Sequence, residues 1–519
     1  MQNSAWWQHA IIYEIYPRSF QDSNGDGIGD LNGIIERLDY LVELGVDAIW
    51  ISPIYPSPMA DFGYDVADYC NIDPIFGSLA DFDRLLEETH RRGLKLILDF
   101  VPNHTSDQHP WFLESRSSRM NAKRDWYIWR DEPNNWLSNF GGSAWEFDVT
   151  TNQYYYHSFL KEQPDLNWRN EAVRTAMFNV LRFWLKRGVD GFRVDVMWLM
   201  IKDGQFRDNP PNPSYRPDQP LSNSLLPLYN ADCPEVQELV AAMRKVIDEF
   251  SDRVLIGEIY LPVQRLMAYY GKDLEGANLP FNFQLLQCAW RAEELSRIIR
   301  SYQGALPLGA WPNWVLGNHD NRRIASRIGN RQALVAAMLL FTLPGTLTIY
   351  YGEEIGMVDL AIPADAIKDP AEKNQPGLGL GRDPERTPML WDSSPTAGFT
   401  DGQPWLPIDP EKKNRNVDAQ KRDQRSIYNL YRELIALRRD HPVLVHGRIE
   451  GVRAENNVLL FKRFDNKERI LVLLNMGNAP AQMDQAPGTI LLSTNHDLAG
   501  TRFKSYLNSS EGSIVALDQ

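Results

Sequence analysis

The chain has 519 residues, 43% of them hydrophobic and 24% charged, and carries a formal net charge of −14 at pH 7. That length exceeds one ordinary domain and supplies a large core; at about 150 residues per domain it suggests three, although a (β/α)8 barrel alone takes about 250 to 400. The charge argues against nucleic acid or an anionic membrane surface as partner. Cys70, Cys233 and Cys288 form neither a metal spacing nor a disulfide framework, which suits a reducing compartment. The opening MQNSAWWQHAIIYEIYPRSF has no basic head before an apolar run, and no window approaches a membrane span. A cytoplasmic protein, monomeric or a small homo-oligomer, is expected.

Short β-branched runs recur along the chain: IIYEIY (11–16), VDAIWIS (46–52), KLILDFV (95–101), GFRVDV (191–196), VLIGEI (254–259), NWVLGNHD (313–320) and TLTIYYGEE (346–354). Most are continuously apolar, as strands buried on both faces should be. ANLPFNF (277–283) supplies an eighth. Between them, 80–93 and 174–188 show i, i+3, i+4 apolar spacing, basic residues in the last turn and a terminal Gly93 or Gly188. Strands alternating with helices predict an α/β fold built as a (β/α)8 barrel, with its site at the C-terminal strand ends. Those ends carry Asp99, Asp195, Glu258 and Asp320.

Two long connections interrupt the alternation. Residues 104–168 read as a small inserted domain, and the Pro- and Asn-rich 202–232 as an irregular crossing over the barrel mouth. After 440 the pattern changes to alternating strands, NVLLFKRF (457–464) and ERILVLLNM (468–476). The expected organisation is therefore barrel over 1–103 and 169–440, inserted domain over 104–168, and an antiparallel β-sandwich over 441–519.

In GFRVDV, Arg193 and Asp195 share one face of a strand, so both point into the barrel mouth. An Arg beside an Asp lowers its pKa and keeps it ionised, as a nucleophile requires. Glu258 ends the next strand, and a carboxyl at an apolar rim has its pKa raised, as a general acid requires. Carboxyl groups about 5 to 5.5 Å apart retain anomeric configuration, whereas about 6.5 to 9.5 Å inverts it.

Taken together and in this order, DFVPNHTS (99–106), GFRVDV (191–196), IGEI (256–259) and GNHD (317–320) resemble the four signature regions of glycoside hydrolase family 13, the α-amylase family. QPDLN (163–167) is similar to the fifth region of its oligo-1,6-glucosidase and α-glucosidase branch, and the resemblance covers effectively the whole chain. It implies a retaining, exo-acting α-glucosidase that releases terminal glucose from short oligosaccharides. Asp195 would be the nucleophile, Glu258 the acid–base, and Asp320 the clamp on two sugar hydroxyls; His104 and His319 would bond the same glucose. Asp99, Asn103 and Asp65 look structural. Asp61 with a later Arg would close the pocket behind the sugar, with Arg382 favoured over Arg386. Tyr64 would stack on the sugar face, Arg193 would be among the sugar contacts, and Phe147 of the inserted domain resembles a further aromatic wall.

The stretch DSNGDGIGDL (22–31) spaces Asp22, Asn24, Asp26 and Asp30 like an EF-hand loop, yet its twelfth position is Gly33 rather than Glu. It follows a strand, not a helix. The resemblance implies a structural calcium or magnesium ion held by Asp22, Asn24, Asp26, the Ile28 carbonyl and Asp30; the alternative is a Gly-rich loop whose Asn and Asp cap their own turns. Val196, after the nucleophile, accompanies α-1,6 linkages in the family. The continuations MWLMIKD (197–203) and GEIYLP (257–262) depart from its oligo-1,6-glucosidase pattern, so α-1,4 cleavage or glucosyl transfer stay open. A non-catalytic scaffold relative fits poorly, because all three carboxylates are kept.

Overall fold

In the computed structural model, which describes residues 4–484 and 487–518, eight parallel strands form one sheet. They are β1 (Ile11–Ile15), β2 (Ala48–Ile51), β3 (Lys95–Phe100), β4 (Gly191–Val194), β5 (Val254–Gly257), β6 (Leu279–Pro280), β7 (Asn313–Val315) and β8 (Thr346–Tyr350). Neighbours pair in sequence order, with β8 beside both β1 and β7. Between β6 and β7 a side chain completes the ring: Asn313 donates to the Pro280 carbonyl at 2.6 Å and accepts from the Asn282 N–H at 3.0 Å.

Three strands end where the sequence turns polar, with Ser52 after β2, Asp195 after β4 and Glu258 after β5. Inward-facing Ile12, Ala48, Trp50, Ile97, Ile256, Leu279 and Val315 form one buried cluster that fills the barrel. The opposite faces, including Tyr13, Ile49, Leu98, Phe192 and Leu255, join the larger core beneath the helices. At the C-terminal end the inward positions become charged: Glu14 pairs with Trp50 across β1 and β2, and Asp99 with Arg193 across β3 and β4.

The principal helices are α1 (Leu31–Leu44), α2 (Leu79–Arg91), α3 (Glu171–Arg187), α4 (Val236–Ile247), α5 (Ala292–Ala305), α6 (Asn330–Thr342) and α7 (Ile427–Asp440). A capping box between Ser78 and Asp81 starts α2, and Gly188 at φ 114° ends α3 in the left-handed region that glycine alone adopts freely.

Between β3 and β4 the inserted domain packs a helix, Pro110–Ser117, and three short antiparallel strands around Trp136, Trp145 and Tyr156. The irregular 202–232 segment lies against it: Trp136 Nε1 donates to the Arg207 carbonyl at 2.9 Å. After α7 a five-stranded antiparallel sheet, with a two-stranded ribbon beside it, packs on the barrel. Fully buried Arg438 and Arg463 stitch the junction by donating to the carbonyls of Phe341, Leu343, Leu444 and Gly447. Among the described residues no helix is long and apolar enough to cross a membrane.

Candidate active site

A cavity of about 460 Å³ opens at the C-terminal ends of the strands, within the size range of small-molecule sites. Asp195, Glu258, Asp320, Asp61, Tyr64, His104 and Arg382 all line it. Arg193, at the end of β4, is fully buried behind them. Its Nη1 donates to both oxygens of Asp99 at 2.9 and 3.0 Å and to Asp195 Oδ1 at 2.9 Å, while Nη2 lies 2.8 Å from Glu258 Oε2. Arg193 therefore organises three carboxylates and is not a wall of the cavity, which corrects its expected place among the sugar contacts.

The charge balance also corrects the sequence expectation for Asp195. Burial, then Glu258, push its carboxyl well above the usual range, and Arg193 opposes them without prevailing. Burial likewise raises Glu258, against the pull of Arg193. Three buried carboxyl groups share one guanidinium, so their titrations are coupled.

Val196 holds φ 36° and ψ 47°, a left-handed conformation strained for a β-branched residue. The turn aims its N–H at Glu258 Oε2, 2.8 Å away. The backbone next to Asp195 thus anchors the second carboxylate.

On the opposite wall, Asp320 accepts from Arg386 Nη2 at 2.8 Å and Arg382 Nη1 at 3.2 Å. Burial opposes its ionisation, but His319, Arg382 and Arg386 outweigh it and hold Asp320 well below the carboxylate range. Arg382 forks further, to Asp61 Oδ1 at 2.7 Å through Nη2 and to Asp369 Oδ2 at 2.6 Å through Nε. Arg386 is fully buried and also donates to the His319 carbonyl at 2.7 Å. Arg382 faces the cavity and Arg386 braces it from behind. Asp65 supports the same loop by accepting from the N–H groups of Ala60 and Asp61 at 2.8 and 2.9 Å.

His104 is buried, and burial holds it neutral with its pKa down at about 4. Gln163, from QPDLN, bridges it to Asp61: its Nε2 lies 3.2 Å from each. His319 is fully buried and does not reach the cavity; it stands behind Tyr64 and Asp320, so it touches a sugar only through them.

Phe147 is a second correction. Its ring lies against Tyr154, is 43% exposed and does not line the cavity. The aromatic walls are instead Phe140 and Phe159, with Phe140 5.0 Å beneath the Arg382 guanidinium. Nothing periodic marked Phe140, which precedes Gly141 and Gly142 in an irregular loop. Trp198, Leu199, Pro227, Ala231 and Tyr260 add further apolar and aromatic lining. Tyr260 was within reach of sequence reasoning, two residues beyond Glu258 and so on the same side of the chain. Glu14, buried in β1, escaped it because its run reads as an ordinary apolar strand.

The 22–31 loop leads into α1, with Asp30 as its N-cap accepting from Gly33 N–H at 2.7 Å. A Cβ on Gly33 would lie 2.0 Å from the Gln21 carbonyl oxygen, so no glutamate fits at the twelfth position. Asp22, Asn24 and Asp26 each accept from the N–H two residues on, at 2.8 to 2.9 Å. Asp22 accepts two more N–H bonds and one from Thr400, which uses most of its lone pairs. Among the described residues no three acidic, His or Cys side chains cluster as metal ligands. The remaining donors, Asn24, Asp26, Asp30 and the Ile28 carbonyl, are all hard oxygens of the kind calcium or magnesium takes.

The order of these motifs on an eight-stranded barrel is matched by known proteins. The family described as alpha amylase, catalytic domain, matches residues 14–447. The chain belongs to the α-amylase family, glycoside hydrolase family 13. The enzyme is 43% identical to a probable alpha-glucosidase of Rhizobium meliloti, over 92% of this chain and 90% of that one. It is 39% identical to the oligo-1,6-glucosidase of Parageobacillus thermoglucosidasius, over 91% and 90%. Among solved structures it resembles an alpha-glucosyl transfer enzyme, with TM-score 0.92, 37% identity and coverage of 99% and 100%. It also resembles an isomaltulose synthase variant of Erwinia rhapontici NX5 in complex with sucrose, with TM-score 0.92, 35% identity and full coverage of both chains.

Proposed function

We propose that the enzyme is a retaining, exo-acting α-glucosidase that removes one glucose at a time from the non-reducing end of short α-glucosides. The observation that carries this reading is the Asp61–Arg382 ion pair in the cavity lining, 2.7 Å long and tied also to Asp320, a brace able to close one end of the site. A closed end admits a terminal sugar and excludes a polymer passing through.

In this reading Asp195 attacks the anomeric carbon as Glu258 gives its proton to the departing glycosidic oxygen. The glucosyl ester formed at Asp195 removes that carboxylate's charge. Glu258, now ionised, takes a proton from water, which attacks the same carbon and frees Asp195. Asp320, ionised by its cationic neighbours, bonds sugar hydroxyls most strongly as the ring flattens toward the oxocarbenium-like transition state. Tyr64 offers its ring to the C–H face of the sugar. A calcium or magnesium ion on the 22–31 loop would be held by Asp22, Asn24, Asp26, the Ile28 carbonyl and Asp30, and would serve stability alone.

The lining around Trp198 and Tyr260 supports a second reading, glucosyl transfer. Its amides are committed within the protein: Asn321 donates to Tyr260 at 2.9 Å and to Asn318 at 2.8 Å. An apolar vestibule with few free polar groups disfavours water relative to an alcohol acceptor.

A product time course on isomaltose, maltose, sucrose and trehalose, at low and high concentration, tests both. Glucose alone, fastest from isomaltose, supports hydrolysis with the α-1,6 preference suggested by Val196. New glucosides at high sugar concentration support transfer. Release of internal fragments from starch would overturn the exo reading.

A further inference from the structure

Glu14 lies on β1 inside the barrel, and its side chain is wholly buried. Its Oε1 is 2.5 Å from Nδ1 of His319, while Oε2 has no hydrogen-bond partner among the described residues. Across the ring, Nε2 of His319 lies 2.6 Å from the Tyr64 hydroxyl and 3.2 Å from Asp320 Oδ2. The imidazole is sandwiched, with Tyr64 stacked at 5.3 Å on one side and Tyr16 at 5.8 Å on the other. Packing therefore sets the ring plane. Its protonation is set by the partners of its two nitrogens.

The protons can be counted. Asp320 is ionised and can only accept, so a lone pair on Nε2 would face it unfavourably and Nε2 must carry hydrogen. The Tyr64 hydroxyl is then free to donate to Asp99 Oδ2, 3.1 Å away. On the other nitrogen, either a protonated Glu14 donates to Nδ1 or an imidazolium donates to a Glu14 carboxylate. Burial disfavours both charges, raising Glu14 and lowering His319, which selects the neutral arrangement.

We propose that Glu14 is a positioning residue whose buried carboxyl donates to His319 Nδ1 and locks the Nε2–H tautomer that orients Asp320 and Tyr64. Its kinetic consequence rests on the reading of Asp320 as a sugar clamp; the proton arrangement does not. Glutamine at position 14 can still donate to Nδ1 through its amide. Leucine cannot, and the imidazole is then free to move its proton to Nδ1, turning a lone pair toward Asp320.

The test combines kinetics with histidine ¹⁵N spectra of the full chain, in which the signal lost in H319N identifies that ring. In E14L, kcat should fall roughly tenfold or more with a smaller change in KM, and E14Q should recover most of that loss. The wild-type His319 signal should be that of a neutral Nε2–H imidazole. An imidazolium or an Nδ1–H tautomer at neutral pH would overturn the proposal without recourse to any variant. Wild-type turnover in E14L, or equal impairment of E14Q and E14L, would also overturn it. Unchanged turnover in D320N would sink the sugar-clamp reading instead and leave the spectral test standing.

Discussion

Nη2 of Arg382 lies 2.7 Å from Oδ1 of Asp61, although 321 positions separate them in the chain. The same guanidinium reaches Asp320 and Asp369, so its planar fork serves three carboxylates at once. A lysine ammonium cannot reproduce that geometry. Arg382→Lys should raise KM for maltose or isomaltose about tenfold or more, whereas Arg386→Lys should lower the melting temperature more than it changes KM. Steady-state kinetics and thermal melts on both variants check the division; the reverse pattern would exchange the two roles.

The cluster around Arg193 predicts that Asp195→Asn and Glu258→Gln each reduce kcat by several orders of magnitude, as loss of a nucleophile or an acid–base does. Azide should restore turnover of an aryl glucoside by Glu258→Ala and produce the β-glucosyl azide. Near-normal turnover in either carboxylate variant would displace the mechanism from this pair.

Phe147 and Phe159 give a paired comparison. Phe147→Ala should leave kcat/KM unaltered, since its ring faces solvent and Tyr154. Phe159 lines the cavity and meets His104 edge-on at 5.3 Å, so its removal should cost about 1.4 kcal/mol of transition-state binding, roughly tenfold in kcat/KM. An effect from Phe147→Ala would restore it as a wall.

Chelation should lower the melting temperature by a few degrees, and calcium or magnesium should restore it with kcat unchanged. Identical melts with and without chelator would mean that the self-capped turns of Asp22, Asn24 and Asp26 sustain the loop without an ion.

Glu353, just beyond β8, is buried without a hydrogen-bond partner for either oxygen among the described residues, and burial raises its pKa to about 8. Between its unfolded value and 8 the folded chain keeps this proton while the unfolded chain loses it. Stability from this group therefore falls as pH rises from about 4.5 to 8, by an amount on the order of 5 kcal/mol at most. Glu353→Gln should melt above the wild type by a margin that widens from pH 5 to pH 8. A constant margin would mean that Glu353 does not titrate in that window.

Much of this was legible in the residues because local patterns encode faces and ends. Continuous apolar runs announced buried parallel strands, glycine and proline punctuated the helices, and strand-end carboxylates in GFRVDV, IGEI and GNHD had to project into the barrel mouth. What the tertiary structure alone decided was which distant side chains meet. Arg382 rather than Arg386 faces Asp61 because Asp369 and the ring of Phe140 hold its stem at the rim. Phe147 shares a sheet face with buried Trp145 but, paired with Tyr154, lies outside the Trp136–Trp145–Tyr156 cluster and meets solvent. Arg193 withdraws behind the carboxylates because Asp99, on the neighbouring strand, lies in register with it. Glu14 is hidden in an apolar run because its partner, His319, lies 305 positions away. Periodicity specifies the direction in which a side chain leaves its own element; only the packing of the other elements determines what it finds there.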